Sequence, residues 1–228
     1  MGSTLVCMVS HSRAAVVLDV NETLFSLDGL NPVFEQTGLA GMRDLWFTRT
    51  LRNGFALTCA GRYRSFPDVA RAAFVSLDPE RLTAKDADPL MDAFAQLRPH
   101  PEVPAALTAL QESGVAAVTL SVGNAANVAA LFDGAGMAGL IEQHLSCETV
   151  QRWKPAAQPY LHACEVLDRQ PRSVWMVAAH AWDLTGAKAI GMKTAWLARL
   201  EGALDENFEV PDVQGSDLRD VVGDIINR

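Results

Sequence analysis

The sequence predicts an α/β protein: a doubly wound parallel core, interrupted after its first strand by an all-helical insert. Three observations predict it. From residue 103 onward, short apolar runs alternate with helical segments, the rhythm of βα units. Upstream, one apolar run, Val16-Val17-Leu18, stands almost a hundred residues before the next convincing strand. Between the two, the pattern is helical throughout.

Ala14–Leu18 reads as the first strand. Helices follow over Pro32–Thr37, Met42–Ala60, Phe66–Leu77 and Asp88–Leu97, separated by Gly, Pro and Asp signals. The insert ends at Arg98-Pro99-His100-Pro101-Glu102-Val103-Pro104, where three prolines in six residues discourage regular structure and suit a hinge-like linker. The core is thus assigned to residues 1–26 and 99–228 and the insert to 27–98. Helix Pro104–Ser113 is stopped by Gly114; strand Val115–Val122 leads into helix Asn124–Asp133, ended by Gly134 and Gly136. A short strand near His144–Cys147, helix Pro155–Leu167, strand Ser173–Val177, helix Asp183–Ile190 and strand Lys193–Leu197 complete the alternation. Glu201–Pro211 reads as a loop and Gly215–Arg228 as a short closing helix.

At 228 residues, 49% of them hydrophobic, the chain can bury a substantial core. No apolar stretch approaches a membrane span, and Met1-Gly2-Ser3-Thr4-Leu5-Val6 lacks the basic start and long apolar segment of a signal peptide, so a cytoplasmic location is expected. Cys7, Cys59, Cys147 and Cys164 are scattered without a C-x-x-C pair, which fits reduced, buried thiols. A formal charge of −8 argues against nucleic acid or an anionic membrane as a partner. Yet Arg43, Arg49, Arg52, Arg62 and Arg64 face only Asp44 between Gly41 and Arg64. That segment reads either as a solvated helix face or as a local field for a small anion.

The chemistry is sought where the strands end, because ligands of an open parallel sheet bind at the C-terminal edge. Asp19 closes the first strand, either as a turn or capping residue or as a carboxylate nucleophile that forms an ester intermediate. Ser121, before Val122-Gly123-Asn124, is an anion ligand beside a helix N-terminus or simply a turn serine. Lys154 precedes Pro155 at a helix start, where a surface lysine is the usual expectation. The strand at Met176-Val177 runs into Ala178-Ala179-His180-Ala181-Trp182-Asp183, bringing an imidazole and a second carboxylate to the same edge. Asp183 alone would suit a helix cap.

Taken together, Asp19, the helical insert, Ser121, Lys154-Pro155 and Asp183 before Gly186-Ala187 resemble the haloacid dehalogenase superfamily, over essentially the whole chain. Thr23-Leu24-Phe25, Ala181-Trp182-Asp183 and the position of the insert are most similar to its L-2-haloacid dehalogenase branch. The resemblance implies a Rossmann-like core with a helical cap, and hydrolysis of short 2-haloacids without a cofactor or metal. Asp19 would attack C2 and expel halide with inversion; water would then cleave the ester. Ser121 and the N–H groups after Asp19, at Val20 and Asn21, would hold the substrate carboxylate, with Val122 and Asn124 beside them. Lys154 would hold the charge of Asp19. The implied partners are a small anionic substrate and halide, with a homodimer as the candidate assembly.

The chain departs from the branch pattern at Asn21-Glu22, Phe47, Val122, Ala178 and His180. Asn21 cannot serve as the general acid that phosphatases of the superfamily carry there, and Ala178 cannot ligate magnesium. Glu22 and His180 are instead gained, and His180 oriented by Glu22 is a candidate base for ester hydrolysis; the alternative is an exposed turn glutamate and a structural histidine. Arg49, three residues after Trp46 on one helix, is a candidate halide ligand. Phe47, Trp46 and Trp182 would wall the site. Two other functions are carried alongside: a phosphatase-like phosphoryl hydrolase and a catalytically silent small-anion binder.

Overall fold

A computed structural model describes residues 14–228; Cys7 and the Met1–Val6 segment lie outside the described residues. The first strand, β1 (Ala15–Leu18), is buried on both faces, as a central strand of a covered parallel sheet must be. Val16 and Leu18 enter one apolar cluster, Ala15 and Val17 the other, so successive residues serve opposite layers.

A two-residue strand, β2 (Phe25–Ser26), opens the insert. Helices α1 (Asn31–Gln36), α2 (Arg43–Cys59), α3 (Phe66–Val75) and α4 (Asp88–Phe94) form it, and β3 (Arg98–Pro99) closes it. The proline-rich linker is therefore not irregular. Phe25 pairs antiparallel with Pro99 and Ser26 with Arg98, and the His100 N–H donates to the Leu24 carbonyl at 2.9 Å. Proline is compatible with so short a ribbon because an edge position needs no donor from it. The chain's exit from and return to the core are stitched together.

The core resumes with α5 (Val103–Ser113), β4 (Ala116–Ser121), α6 (Ala125–Gly134), β5 (Gln143–Ser146), α7 (Ala157–Val166), β6 (Val174–Ala178), α8 (Ala181–Ala189), β7 (Lys193–Leu197), β8 (Val213–Gly215) and α9 (Leu218–Ile226). The sheet runs β5-β4-β1-β6-β7-β8, with every pair parallel. From β1 the chain winds one way through β4 and β5 and the other way through β6 to β8. The reversal puts a crevice beyond the C-terminal ends of β1, β4 and β6. β8 was not expected: Val213-Gln214-Gly215 follows the predicted loop, overlaps the first residue of the predicted closing helix and is too short to show a strand period.

Helix α2 explains how the insert meets the core. Trp46 is fully buried against α3, its Nε1 donating to the Ala70 carbonyl at 2.9 Å. The next stripe, at Phe47, Leu51, Gly54 and Phe55, faces the core: Phe47 stands beside His180 and Phe55 beside Trp182. At Gly54 a Cβ would lie 2.3 Å from the Trp153 ring, so only glycine lets α2 rest flat on that indole. Trp153 is in turn gripped by the insert, its backbone N–H on Thr58 Oγ1 at 3.0 Å and its Nε1 on the Arg64 carbonyl at 2.9 Å.

The arginine-rich segment is a solvated face with local partners. Arg43 pairs with Asp28 and Asp44, Arg52 bonds Asn53, and Arg62 and Arg64 are exposed. Of the cysteines, Cys147 and Cys164 are buried as expected, but Cys59, the last residue of α2, is exposed.

Candidate active site

Asp19 sits one residue past β1, at the crevice, with its carboxylate almost wholly enclosed. Both oxygens are held. Lys154 Nζ donates to Oδ1 at 2.7 Å and Thr23 Oγ1 to Oδ2 at 2.7 Å. Thr23 Oγ1 in turn accepts the Ala179 N–H at 2.9 Å, tying the turn after β1 to the end of β6.

Lys154 is no surface lysine; it is completely buried, with further bonds to Asp183 Oδ2 at 2.6 Å and the Leu120 carbonyl at 3.0 Å. Burial by itself disfavours its ammonium form, but the carboxylates of Asp183 and Asp19 outweigh that, and the amine holds its proton more tightly than an ordinary lysine. Asp183 does not cap α8. Its other oxygen accepts from Tyr160 Oη at 2.6 Å, and burial pushes its carboxyl above the usual range against the pull of Lys154. Gly186 makes this packing possible, since a Cβ there would lie 2.5 Å from the Pro155 carbonyl and 2.7 Å from the Tyr160 ring. The peptide between Lys154 and Pro155 is cis.

This donor set does not fit a divalent cation. Ala178 supplies only a methyl group, and the Lys154 ammonium already bridges the two carboxylates that would bind the ion.

His180, close enough to feel the charge of Asp19, stands in a wall of rings, with centroids 6.1 Å from Phe47 and 5.7 Å from Trp182. The Lys154 ammonium also lies 6.0 Å from the Trp182 ring centre. Burial draws the His180 imidazole below its ordinary pKa, opposed by the charges of Asp19 and Glu201. Its Nδ1 is buried and has no hydrogen-bond partner among the described residues.

Glu22 does not orient His180. It takes a left-handed backbone (φ 62°) that turns its carboxylate to the Leu27 N–H, at 3.3 Å; burial raises its pKa against the opposing charge of Arg43. Its carbonyl meets His100 Nε2 at 3.1 Å, beside the β2–β3 ribbon. The carboxylate beside His180 comes from the loop after β7, where Glu201 accepts the Ala181 N–H at 3.1 Å.

Arg49 is likewise elsewhere: its guanidinium donates to the Ser76 carbonyl at 2.8 Å, at the end of α3. The three-residue spacing from Trp46 is real, but both residues belong to the face of α2 turned into the insert. Trp46 accordingly walls nothing at Asp19.

Ser121, Val20 and Asn21 line a cavity of about 210 Å³ beside Asp19. Ser121 Oγ accepts the Gly123 N–H at 2.9 Å, which leaves its own proton for another acceptor. Asn124 lines the same cavity, but its side chain is committed: Oδ1 caps α6 through the Ala126 N–H and Nδ2 donates to Glu148 at 2.8 Å. Val122 is buried behind Ser121. Thr23 and Tyr160 went unassigned on sequence. Thr23, four residues past Asp19, and Tyr160, six past Lys154, had spacing as their only signals.

A match to the haloacid dehalogenase-like hydrolase family covers residues 14–191. The (S)-2-haloacid dehalogenase of Pseudomonas sp. (strain YL) is 30% identical over 78% of each chain. Haloacetate dehalogenase H-2 of Moraxella sp. (strain B) is 26% identical over 87% of this chain and 91% of its own. A crystal structure of an L-2-haloacid dehalogenase superposes with a TM-score of 0.86 at 28% identity, covering 93% of this chain and 98% of that one. With a nucleophile-ready carboxylate at the switch point and these relatives over most of its length, the chain belongs to the haloacid dehalogenase-like hydrolases, in their L-2-haloacid dehalogenase branch.

Proposed function

We propose that the protein hydrolyses L-2-haloacids to 2-hydroxy acids through an ester on Asp19. The observation that carries this is the Asp19 carboxylate at the sheet edge, with one donor fixed on each oxygen. An oriented, charge-paired carboxylate is a nucleophile held close to its attack geometry.

The substrate carboxylate is received by Ser121 and the N–H groups after Asp19. An Asp19 oxygen attacks C2, the carbon–halogen bond breaks with its electron pair leaving on the halide, and C2 inverts. Water then adds to the Asp19 ester carbonyl while His180 takes its proton; the acyl–oxygen bond breaks and the departing oxygen takes the proton back from His180, freeing the hydroxy acid with an oxygen that came from Asp19. A desolvated, neutral imidazole suits that base role at neutral pH. Lys154, Thr23, Tyr160 and Asp183 hold the nucleophile, and Phe47 and Trp182 keep bulk water from the reacting centre. No helix among the described residues is long and apolar enough to cross a membrane, and we place the reaction in the cytoplasm.

The test is halide release from L-2-chloropropionate by chelator-treated protein, with Asp19→Asn as control. Release by the wild type alone is expected. Magnesium-dependent phosphate release in its place would favour the phosphoryl hydrolase, and ligand-induced thermal stabilisation without any turnover a silent binder.

A further inference from the structure

The cavity beside Asp19 is roomier than a two- or three-carbon acid requires. One end is polar, at Asn21, Ser121 and Gly123. The rest is mostly apolar, walled by Phe66, Met91 and Phe94 from the insert and by Val128 and Leu131 from α6, with Asn124, Asn127 and Arg71 as its other polar lining. Protein interiors are otherwise close-packed, and an apolar space opening beside a carboxylate-binding end is the usual form of a small-molecule site. At roughly 30 Å³ per water-sized group, its 210 Å³ admits about seven such groups.

Resting on the reading of Asp19 as a nucleophile, we propose that this cavity receives the C2 substituent. With the carboxylate taking about three of those places, the preferred substrates are 2-haloacids bearing an uncharged chain of about four carbons. With the carboxylate on Ser121 and C2 before Asp19, the apolar end is the direction left to the substituent. Its terminus is uncharged because Arg71, the cation in the cavity's lining, is already engaged by Asp88 and the Ala84 carbonyl. The insert thus sets chain-length preference through Met91 and Phe94, remote from the bonds that break.

The experiment compares kcat/KM for 2-bromopropionate, 2-bromohexanoate and 2-bromoglutarate in wild type, Leu131→Trp and Met91→Phe. Each buried methylene is expected to raise kcat/KM about fourfold, so 2-bromohexanoate exceeds 2-bromopropionate by at least about tenfold and 2-bromoglutarate gains nothing. Filling the cavity from the core side (Leu131→Trp) or from the insert side (Met91→Phe) should cut the hexanoate-to-propionate ratio about tenfold; Met91→Phe carries the test if the bulkier variant fails to fold. Bromide release from 2-bromopropionate with no chain-length preference, or ratios unchanged by the variants, overturns the pocket and leaves the reaction standing. No bromide from any substrate overturns the reaction, and the pocket with it.

Discussion

The two sides of Asp19 are built on opposite principles. On one, Lys154, Asp183, Tyr160 and Thr23 form a closed network in which every charge meets a partner at 2.6 to 2.7 Å. On the other, His180 stands among Phe47 and Trp182 with a ring nitrogen that nothing in the described residues satisfies. Buried polar groups are normally paired, and an exception asks for an explanation. The saturated side fixes a reagent that must not move. In the proposed mechanism the unsaturated side holds the group that takes a proton from water.

The largest break comes from the saturated side. Lys154→Met leaves two carboxylates buried without their cation, a change that costs about 3–5 kcal/mol when a buried pair loses one partner. A lowered melting temperature and loss of both ester formation and turnover are expected, read by calorimetry and halide release; an active, equally stable variant would separate Lys154 from the nucleophile.

His180→Asn should act on the second step alone. A burst of about one halide per enzyme survives, while steady turnover falls about 100- to 10,000-fold, the range of a lost general base. The same asymmetry appears against pH. Because burial lowers the His180 pKa, the base stays free below the ordinary imidazole value of about 6.5. The acid limb of kcat should therefore lie below 6.5, turnover rising with pH through it, while the burst rate constant lacks the limb. A matching limb in both steps would place the titration elsewhere.

Gly54→Ala sharpens the contrast from a distance, since its Cβ would press on Trp153, the residue before Lys154. Overpacking of about 1–3 kcal/mol is expected, with slowed ester formation and an unaltered position of the acid limb. Arg49→Ala marks the small end: it loses a bond to Ser76 inside the insert and should leave the rate of halide release within about twofold; a large drop would return Arg49 to the site.

The core was legible because its signals are local. Val16-Val17-Leu18 and Val174-Trp175-Met176-Val177 are continuous apolar runs of the kind a doubly covered strand uses, and their ends place Asp19 and His180 at one edge without three-dimensional information. The phase of α2 was not legible. Trp46 and Thr50 on one stripe and Phe47 and Leu51 on the next are all buried, so the helix has two packed faces, and sequence does not say which one meets the core. Arg49 was misassigned for that reason. Glu22 was misassigned for another: chain proximity to Asp19 was plain, but a left-handed residue at the turn sends its carboxylate toward Leu27. The buried state of Lys154 depends on Asp183, itself held by Tyr160, and the three meet only once β6, α7 and α8 are in place.

The claim on which the rest depends is that Asp19 gives its own oxygen to the product. A single turnover in H2 18O, with enzyme in excess over L-2-chloropropionate and the lactate analysed by mass spectrometry, tests it directly. The account predicts unlabelled lactate from the first turnover and, from that turnover on, 18O in the peptide containing Asp19. Labelled lactate from the first turnover, with that peptide unlabelled, would mean that water attacks C2 itself and that Asp19 is not the nucleophile.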